Sequence, residues 1–384
     1  MKAGWQTKKL GELLQIQNGY AFDSKNFSSS GEMPLIRIRD LKTGIETETR
    51  YSGDYDEKYV VRAGNFLIGM DGEFGCYEWK GNPALLNQRV CRLQDFDTAL
   101  LPRFLFYGVN SHLKEIEDVT GFTTVKHISS RQILDIDFPA PPFPEQQRIV
   151  GILDAAFDGI ATAKANAEQN LQNARALFES HLQSVFSQRG KGWSEKKLSD
   201  VCAITSTLVD PRKNEFLDLT HVGAGNIESQ TGVFIDLKTA REEGLISGKF
   251  LFDETMVLYS KIRPYLMKVA RPDFNGLCSA DMYPLAPLPN EITRDYLFHL
   301  LLSKPFTDYA IQGSARAGMP KVNREHLFEF SVWLPNVKKQ TELATKLDAL
   351  HQETQRLESL YQRKLAALDE LKKSLLHQAF SGQL

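Results

Sequence analysis

The chain repeats itself. Residues 5–13 read WQTKKLGEL and residues 193–201 read WSEKKLSDV, an offset of 188. Toward the end of each half, IVGILDAAF (149–157) matches LATKLDALH (343–351), and HLQSVFS (181–187) matches LLHQAFS (375–381), both offset by 194. A repeat this long is no solenoid. It requires two copies of one unit, each with roughly 140 residues of mixed composition followed by a polar–apolar stretch of roughly 44. A duplicated surface suits a target that itself comes in two parts.

The second stretch of each copy carries a seven-residue pattern. From Leu343 the stripe steps by four and three through Leu347, Leu350, Thr354, Leu357, Tyr361, Lys364, Leu368, Leu371 and Leu375, broken only by Thr354 and Lys364. Shifting back by 194 gives Ile149, Leu153, Ala156, Ile160, Ala163, Ala167, Asn170, Ala174, Leu177 and His181. A heptad sustained this long specifies a coiled-coil seam, and an alanine-rich stripe can interdigitate closely with a leucine-rich one. The two long helices are therefore expected to pair. The first leads through a short linker (188–192) into the second copy, and the second must return along the first to bury its leucines. That connectivity makes the pair antiparallel, with an approximate two-fold axis. At 1.5 Å per residue it spans roughly 66 Å, an upper limit on the separation of the copies.

Composition limits the function classes. A chain of 384 residues with 42% hydrophobic content can fill two cores. No window approaches 18 uninterrupted apolar residues and MKAGWQTKKL has no apolar signal core, so a cytoplasmic location without a membrane partner is expected. Four scattered cysteines, with no CxxC pair, read as reduced thiols. The net charge of −2 argues against a uniformly basic nucleic-acid binder, so any DNA contact must come from local cations or from partners.

Each globular segment reads as mixed α/β. Strand-like runs are PLIRIRDL (34–41), NFLIGM (65–70), LNQRVCRL (86–93), TMVLYSKI (255–262) and MYPLAP (282–287); helical runs cover 101–119 and 292–312. A proline-rich edge precedes each long helix, and Pro144 suits a first turn. The expected division is a first globular domain at 1–143, a long helix at 144–187, a second domain at 188–337 and a second long helix at 338–384. The expected class is α+β, two mixed α/β domains joined by an antiparallel two-helix coiled coil.

No catalytic constellation is present. APPF (140–143) resembles an amino-methyltransferase motif, but Ala140 replaces the polar residue that would accept a hydrogen bond from the target amine. GLISGK (244–249) resembles a phosphate loop, but it is one residue short and Phe250 replaces the magnesium-binding hydroxyl. The histidines show no metal spacing. The chain is expected to be non-catalytic, with no metal or cofactor of its own.

Polar and basic side chains do recur at comparable places in both halves. Arg37 and Arg39 alternate with Ile36 and Ile38, as on one face of a strand; Asp71 lies in the glycine-rich loop GMDGEFG (69–75), and Arg89 follows it. In the second half LYSKIRPYL (258–266) sets Lys261 and Arg263 on one parity with Tyr259 and Tyr265. A later loop carries Arg316 and Lys321, and its counterpart carries Lys126. Arginine can grip guanine edges bidentately, lysine neutralises phosphate, and a carboxylate can accept from a cytosine amino group.

The strings PLIRIRDL and LYSKIRPYL, the helix start PPFPEQQRIVGILD and the closing SLLHQAFSGQL resemble the specificity subunit of type I restriction-modification systems over essentially the whole chain. The resemblance implies two target recognition domains that read the halves of a split double-stranded DNA site, with the long helices as spacer and docking surface. It implies assembly with a pair of modification subunits, which carry S-adenosylmethionine and methylate adenine, and with restriction subunits that translocate and cleave DNA using ATP and Mg. It carries DNA contacts onto Lys261 and Arg263 and onto the equivalent Met70 and Asp71; Tyr265, Arg37, Arg39, Arg89, Lys126, Arg316 and Lys321 are weaker candidates. Glu145 and Gln146 fall in the expected partner-docking region. A reading subunit of another DNA-modification complex, or a protein-binding coiled-coil scaffold, are the alternatives.

Overall fold

The computed structural model describes residues 4–121, 126–314 and 319–384. By the clustering of its contacts the chain divides into two compact units, Met1–Asn166 with Lys364–Leu384, and Ala167–Arg363.

In the first unit the strands are β1 (Gln6–Lys9), β2 (Gln15–Asn18), β3 (Phe27–Ser28), β4 (Met33–Ile36), β5 (Arg50–Tyr51), β6 (Val60–Val61), β7 (Phe66–Gly69), β8 (Gly75–Glu78), β9 (Ala84–Leu86), β10 (Val90–Gln94) and β11 (Asp137–Ala140). Helices α1 (Pro102–Val119) and α2 (Ser130–Leu134) precede the long α3 (Phe143–Ser187). One sheet has the order β2-β10-β7-β8, a second β3-β5-β4-β9-β6, and β1 pairs with β11. Strand β7 explains why two sheets form. Phe66 and Ile68 face a core built with α1 and the long helices, while Leu67 faces Ile36, Trp79 and Leu86 toward the second sheet. Covered on both faces, it reads as an unbroken apolar run.

The second unit repeats this plan with β12 (Ser194–Lys197), β13 (Cys202–Ala203), β14 (Leu208–Val209), β15 (Thr220–Val222), β16 (Lys238–Thr239), β17 (Lys249–Phe252), β18 (Val257–Ser260), β19 (Val269–Ala270), β20 (Gly276–Cys278), β21 (Met282–Pro287) and β22 (Ser331–Leu334). Helices α4 (Arg294–Leu302), α5 (Lys304–Gln312) and α6 (Arg324–Phe328) lead to the long α7 (Val337–Ser381). The expected single helix over 292–312 is broken at Ser303, which adopts an extended backbone ahead of Pro305. The sheets are β13-β21-β18-β19 and β14-β17-β20-β15-β16.

Each unit contains a piece of both long helices, and within each piece they run antiparallel. In the first unit Arg148 donates to the Leu384 carbonyl and Lys164 pairs with Asp369. In the second, Arg175 pairs with Glu358 while Phe178 packs on His351. Closure is equivalent too: Phe380 at the end of α7 packs on Phe104 of α1, and Phe186 at the end of α3 packs on Tyr296 of α4.

Burial follows the heptad through Ile149, Leu153, Ile160, Ala167 and Ala174, then changes step. Phe178, Leu182 and Val185 are buried, whereas Leu177 is 61% exposed. In α7, Leu347, Thr354 and Ala379 are buried, Leu343, Leu350, Leu357, Leu368 and Leu375 half-buried, and Leu371 is 47% exposed. Placing Leu177 and Leu371 in the seam is thus corrected, at positions 194 apart. A straight helix drifts about 20° per heptad, and a four-residue step restores the stripe once the drift accumulates.

Equivalent side chains fasten each globular part to its helix. Gln146, fully buried, accepts from Leu101 N and donates to the carbonyls of Ala99 and Pro141. Gln340, 194 residues on, accepts from Thr293 N and donates to Glu291 and Pro335 carbonyls. Gln146 is therefore internal and not a partner contact. Two turns on, Asp154 is met by Arg103 (3.3 Å) and Tyr107, and Asp348 by Arg271 (2.7 Å) and His299 (2.9 Å). Although burial alone would raise it, hydrogen bonds from His299 and Arg271 hold the Asp348 carboxyl well below the usual range. Burial pushes the His299 imidazole down against the pull of Asp348. Its Nδ1 has no partner among the described residues, which suits a neutral ring with its proton on Nε2.

All four cysteines are free and buried, and burial pushes the Cys91, Cys202 and Cys278 thiols up to about 12. Among the described residues no helix is long and apolar enough to cross a membrane.

Candidate nucleic-acid interface

In the first unit β7 ends at Gly69, and the chain turns through Met70–Asp71–Gly72. Three backbone hydrogen bonds stitch this turn to two other segments: Met70 N to Arg89 O (3.0 Å), Ile128 N to Met70 O (2.9 Å) and Gly72 N to Lys126 O (2.9 Å). An isolated bridge joins Asp71 to His127. Gly72, at φ +79°, supplies the left-handed residue the turn requires. The Asp71 carboxylate then sits between two cationic or proton-bearing groups, Arg89 Nη1 at 3.0 Å and His127 Nδ1 at 2.6 Å. A carboxylate is acceptor only, so the His127 Nδ1 carries the proton. Asp71 is 19% exposed, Arg89 58% and His127 52%. Lys126 donates to the Glu117 carbonyl at the end of α1, and Met70 is buried.

The second unit reproduces the backbone bond for bond. Lys261 N donates to Asp281 O (3.0 Å), Val322 N to Lys261 O (2.8 Å) and Arg263 N to Pro320 O (2.9 Å), and Ile262 bridges Lys321. The side chains are changed throughout: Met70 becomes Lys261, Asp71 becomes Ile262, Gly72 becomes Arg263, Arg89 becomes Asp281 and His127 becomes Lys321. Asp281 lies 3.5 Å from both Lys261 and Lys321. Lys261 is 13% exposed; it donates to the Ala280 carbonyl and lies 5.3 Å over the Tyr283 ring. Burial, and then the neighbouring Lys321, pull its ammonium below the ordinary value. Arg263 and Tyr265 are exposed.

Several placements differ from the strand reading. Strand β18 ends at Ser260, so Lys261 and Arg263 lie in a turn; Tyr259 is buried against Phe306 and shares no face with Tyr265. Strand β4 ends at Ile36, because the Asp40 carboxylate accepts from Arg37 N (2.8 Å) and closes a helical turn over Ile38–Asp40. Arg37 and Arg39 therefore leave the strand. Both nevertheless line one cleft of about 610 Å³ with Phe22, Phe27, Gln88 and Arg89. Arg89 itself sits in the turn before β10. The equivalent turn of the second unit, where Asn226 accepts from Gly223 N (2.9 Å), carries Gly223 and Gly225 in place of the two arginines. Arg316 lies outside the described residues.

Two contributors were missed in the sequence, His127 and Asp281. The offset of 194 aligns Lys321 with His127 rather than with Lys126, so that signal was available. The lysine of GLISGK begins β17, 5% exposed, and its ammonium donates to Ser247. It is not placed to hold a phosphate.

Comparison with known proteins agrees with the duplicated plan. The family described as "Type I restriction modification DNA specificity domain" matches twice, over residues 2–173 and 190–365. The EcoDI specificity subunit of Escherichia coli is 28% identical, over 99% of this chain and 88% of the relative. The EcoBI specificity subunit of Escherichia coli is 27% identical, over 99% and 86%. The crystal structure of the HsdS subunit from Thermoanaerobacter tengcongensis has the same fold, with a TM-score of 0.59 at 18% identity over 100% of this chain and 98% of that one. A chain solved in a study of complex assembly of the type I R-M system aligns over 100% and 99%, with a TM-score of 0.72 at 18% identity. The protein belongs to the type I restriction-modification DNA specificity family and carries that family's domain in two copies.

Proposed function

We propose that this chain is the sequence-reading, non-catalytic subunit of a type I restriction-modification complex, each unit reading one half of a bipartite duplex target. The observation that carries the reading is the loop framework repeated between the units. Three backbone hydrogen bonds and one bridge are kept, while every side chain on them differs. A framework conserved in geometry and varied in chemistry is what two readers of unlike half-sites require. Exposed Arg37, Arg39, Arg89, Arg263 and Lys321 would supply local phosphate and base contacts in a chain whose net charge is −2. The partners are modification subunits that carry S-adenosylmethionine and restriction subunits that use ATP and Mg, so that the complex works on cytoplasmic DNA. Methylated adenines mapped across the source genome, before and after deletion of this gene, test the reading. Loss of one split motif is expected. An unchanged methylome overturns it.

A further inference from the structure

The Asp71 cluster holds a more specific instruction. Of its three side chains the carboxylate is the inner one, at 19% exposure, with both oxygens engaged; Arg89 and His127 stand outside it, each more than half exposed. Asp71 takes the Nη1 end of the Arg89 guanidinium, and the Nε–Nη2 edge has no partner among the described residues. That edge is a planar pair of parallel donors. A guanidinium already fixed at one end loses less freedom when the other end binds. In the major groove guanine alone presents two adjacent acceptors, O6 and N7.

Resting on the reading above, we propose that Arg89 reads a guanine in the half-site of the first unit, and that Asp71 is its positioning residue rather than a base contact. The second unit has Asp281 at the position of Arg89, so it cannot read a guanine this way.

The test selects bound duplexes from a randomised library with the full-length chain in its complex, comparing wild type, R89K and D71N. R89K keeps the charge and loses the fork. Preference for guanine at one position of one half-site should fall by roughly 5- to 140-fold, the equivalent of about 1–3 kcal/mol, with non-specific binding retained. D71N should relax the same position by a smaller factor, with the other half-site unchanged as an internal sign of an intact fold. A merely structural role for Asp71 would lower binding without altering the preferred base. Guanine preference that survives R89K overturns the proposal. So does a D71N change at an adenine or cytosine position that R89K leaves alone, because the carboxylate would then be the reader. A wild-type half-site lacking guanine overturns this assignment alone, while enrichment of no sequence removes the DNA-reading function as well.

Discussion

The two units differ most where they are built most alike. In the five-stranded sheets a parallel pair forms the centre, β4 with β9 and β15 with β20. Strands β5 and β6 flank the first pair and β16 and β17 the second, in the same order. The remaining strand is free to choose: β3 adds beside β5, whereas β14 adds beside β17, at the opposite edge. An edge strand offers unpaired backbone groups on either side of a sheet, so a two-residue strand can join at either without disturbing the centre. The reading loops show the same division between invariant scaffold and variable lining. In the first unit an acid is gripped by an arginine and a histidine; in the second, two lysines surround an acid supplied by a different segment.

Even the clamp to the long helix exchanges its charges. Arg103 of α1 pairs with Glu78, the last residue of β8, while Asp295, at the place of Arg103 in α4, pairs with Arg271 just beyond β19. What is kept is complementarity and not the residue. Duplication thus preserves backbone bonds and buried glutamines, which have many internal partners, and releases the side chains that face outward.

The comparison predicts where the units should be equally sensitive and where not. The largest effect is shared. Leu153 and Leu347 are equivalent and wholly buried, so alanine at either should cost roughly 2–5 kcal/mol of unfolding free energy. Chemical denaturation followed by amide exchange in β7 and in β18 would show which unit loses protection. A loss confined to the unmutated unit would break the equivalence.

How much of this was legible in the sequence depends on the range of the interaction. The duplication, the long helices and their pairing were plain, because KKL and LDA strings recur and a heptad is a local pattern. The step after Ala174 was not. It arises from accumulated helix drift, and only partner packing decides when the stripe moves. Strand ends at Ile36 and Ser260 were missed for another reason: single side chains, such as Asp40 closing the turn on Arg37 N, overrule an alternating pattern that reads as continuing. The Asp71 cluster joins residues 71, 89 and 127, and nothing local announces such a triple.

The helix clamps should separate the units by size and by pH. Arg271 and Asp348 are 22% and 27% exposed, so Asp348→Ala should cost about 3 kcal/mol, by taking the hydrogen-bond partner from buried His299 and leaving Arg271 with Asp295 alone. Asp154 is 42% exposed, and Asp154→Ala should cost under about 1 kcal/mol. His299 adds an acid dependence. Its pKa, and those of His221 and His351, lie below the ordinary 6.5 chiefly through burial. The unfolded chain therefore takes up the proton first, so this stability is complete above about pH 6.5 and is lost as pH falls below it. Amide protection in β18 should drop between about pH 7 and about pH 5, and His299→Tyr, which copies Tyr107, should reduce the drop. A β18 protection that is flat with pH would refute the buried neutral histidine.

Backbone strain offers a smaller contrast. Gly72 and Arg263 occupy equivalent left-handed positions, at φ +79° and +50°. No atom would meet a Cβ on Gly72, so Gly72→Ala measures conformation alone, about 1 kcal/mol of loss. Arg263→Gly should gain about 0.5 kcal/mol, strain relief exceeding the added chain entropy, while DNA selection weakens in the second half-site only. An Arg263→Gly variant with unaltered selection would mean that the second unit tolerates the strain for no purpose in recognition.

The smallest effect tests the corrected seam. Leu177 and Leu371 obey the heptad in sequence and yet are 61% and 47% exposed. If the stripe has stepped to Phe178 and Leu182, the two leucines contribute little burial, and Leu177→Gln or Leu371→Gln should change stability by no more than about 0.5 kcal/mol. Phe178→Ala, one residue along, should cost roughly 3–5 kcal/mol. Thermal unfolding of the three variants places the seam without reference to any structure. Comparable losses at Leu177 and Phe178 would mean that the helices pack on the uninterrupted heptad, and that the four-residue step shared by α3 and α7 is wrong.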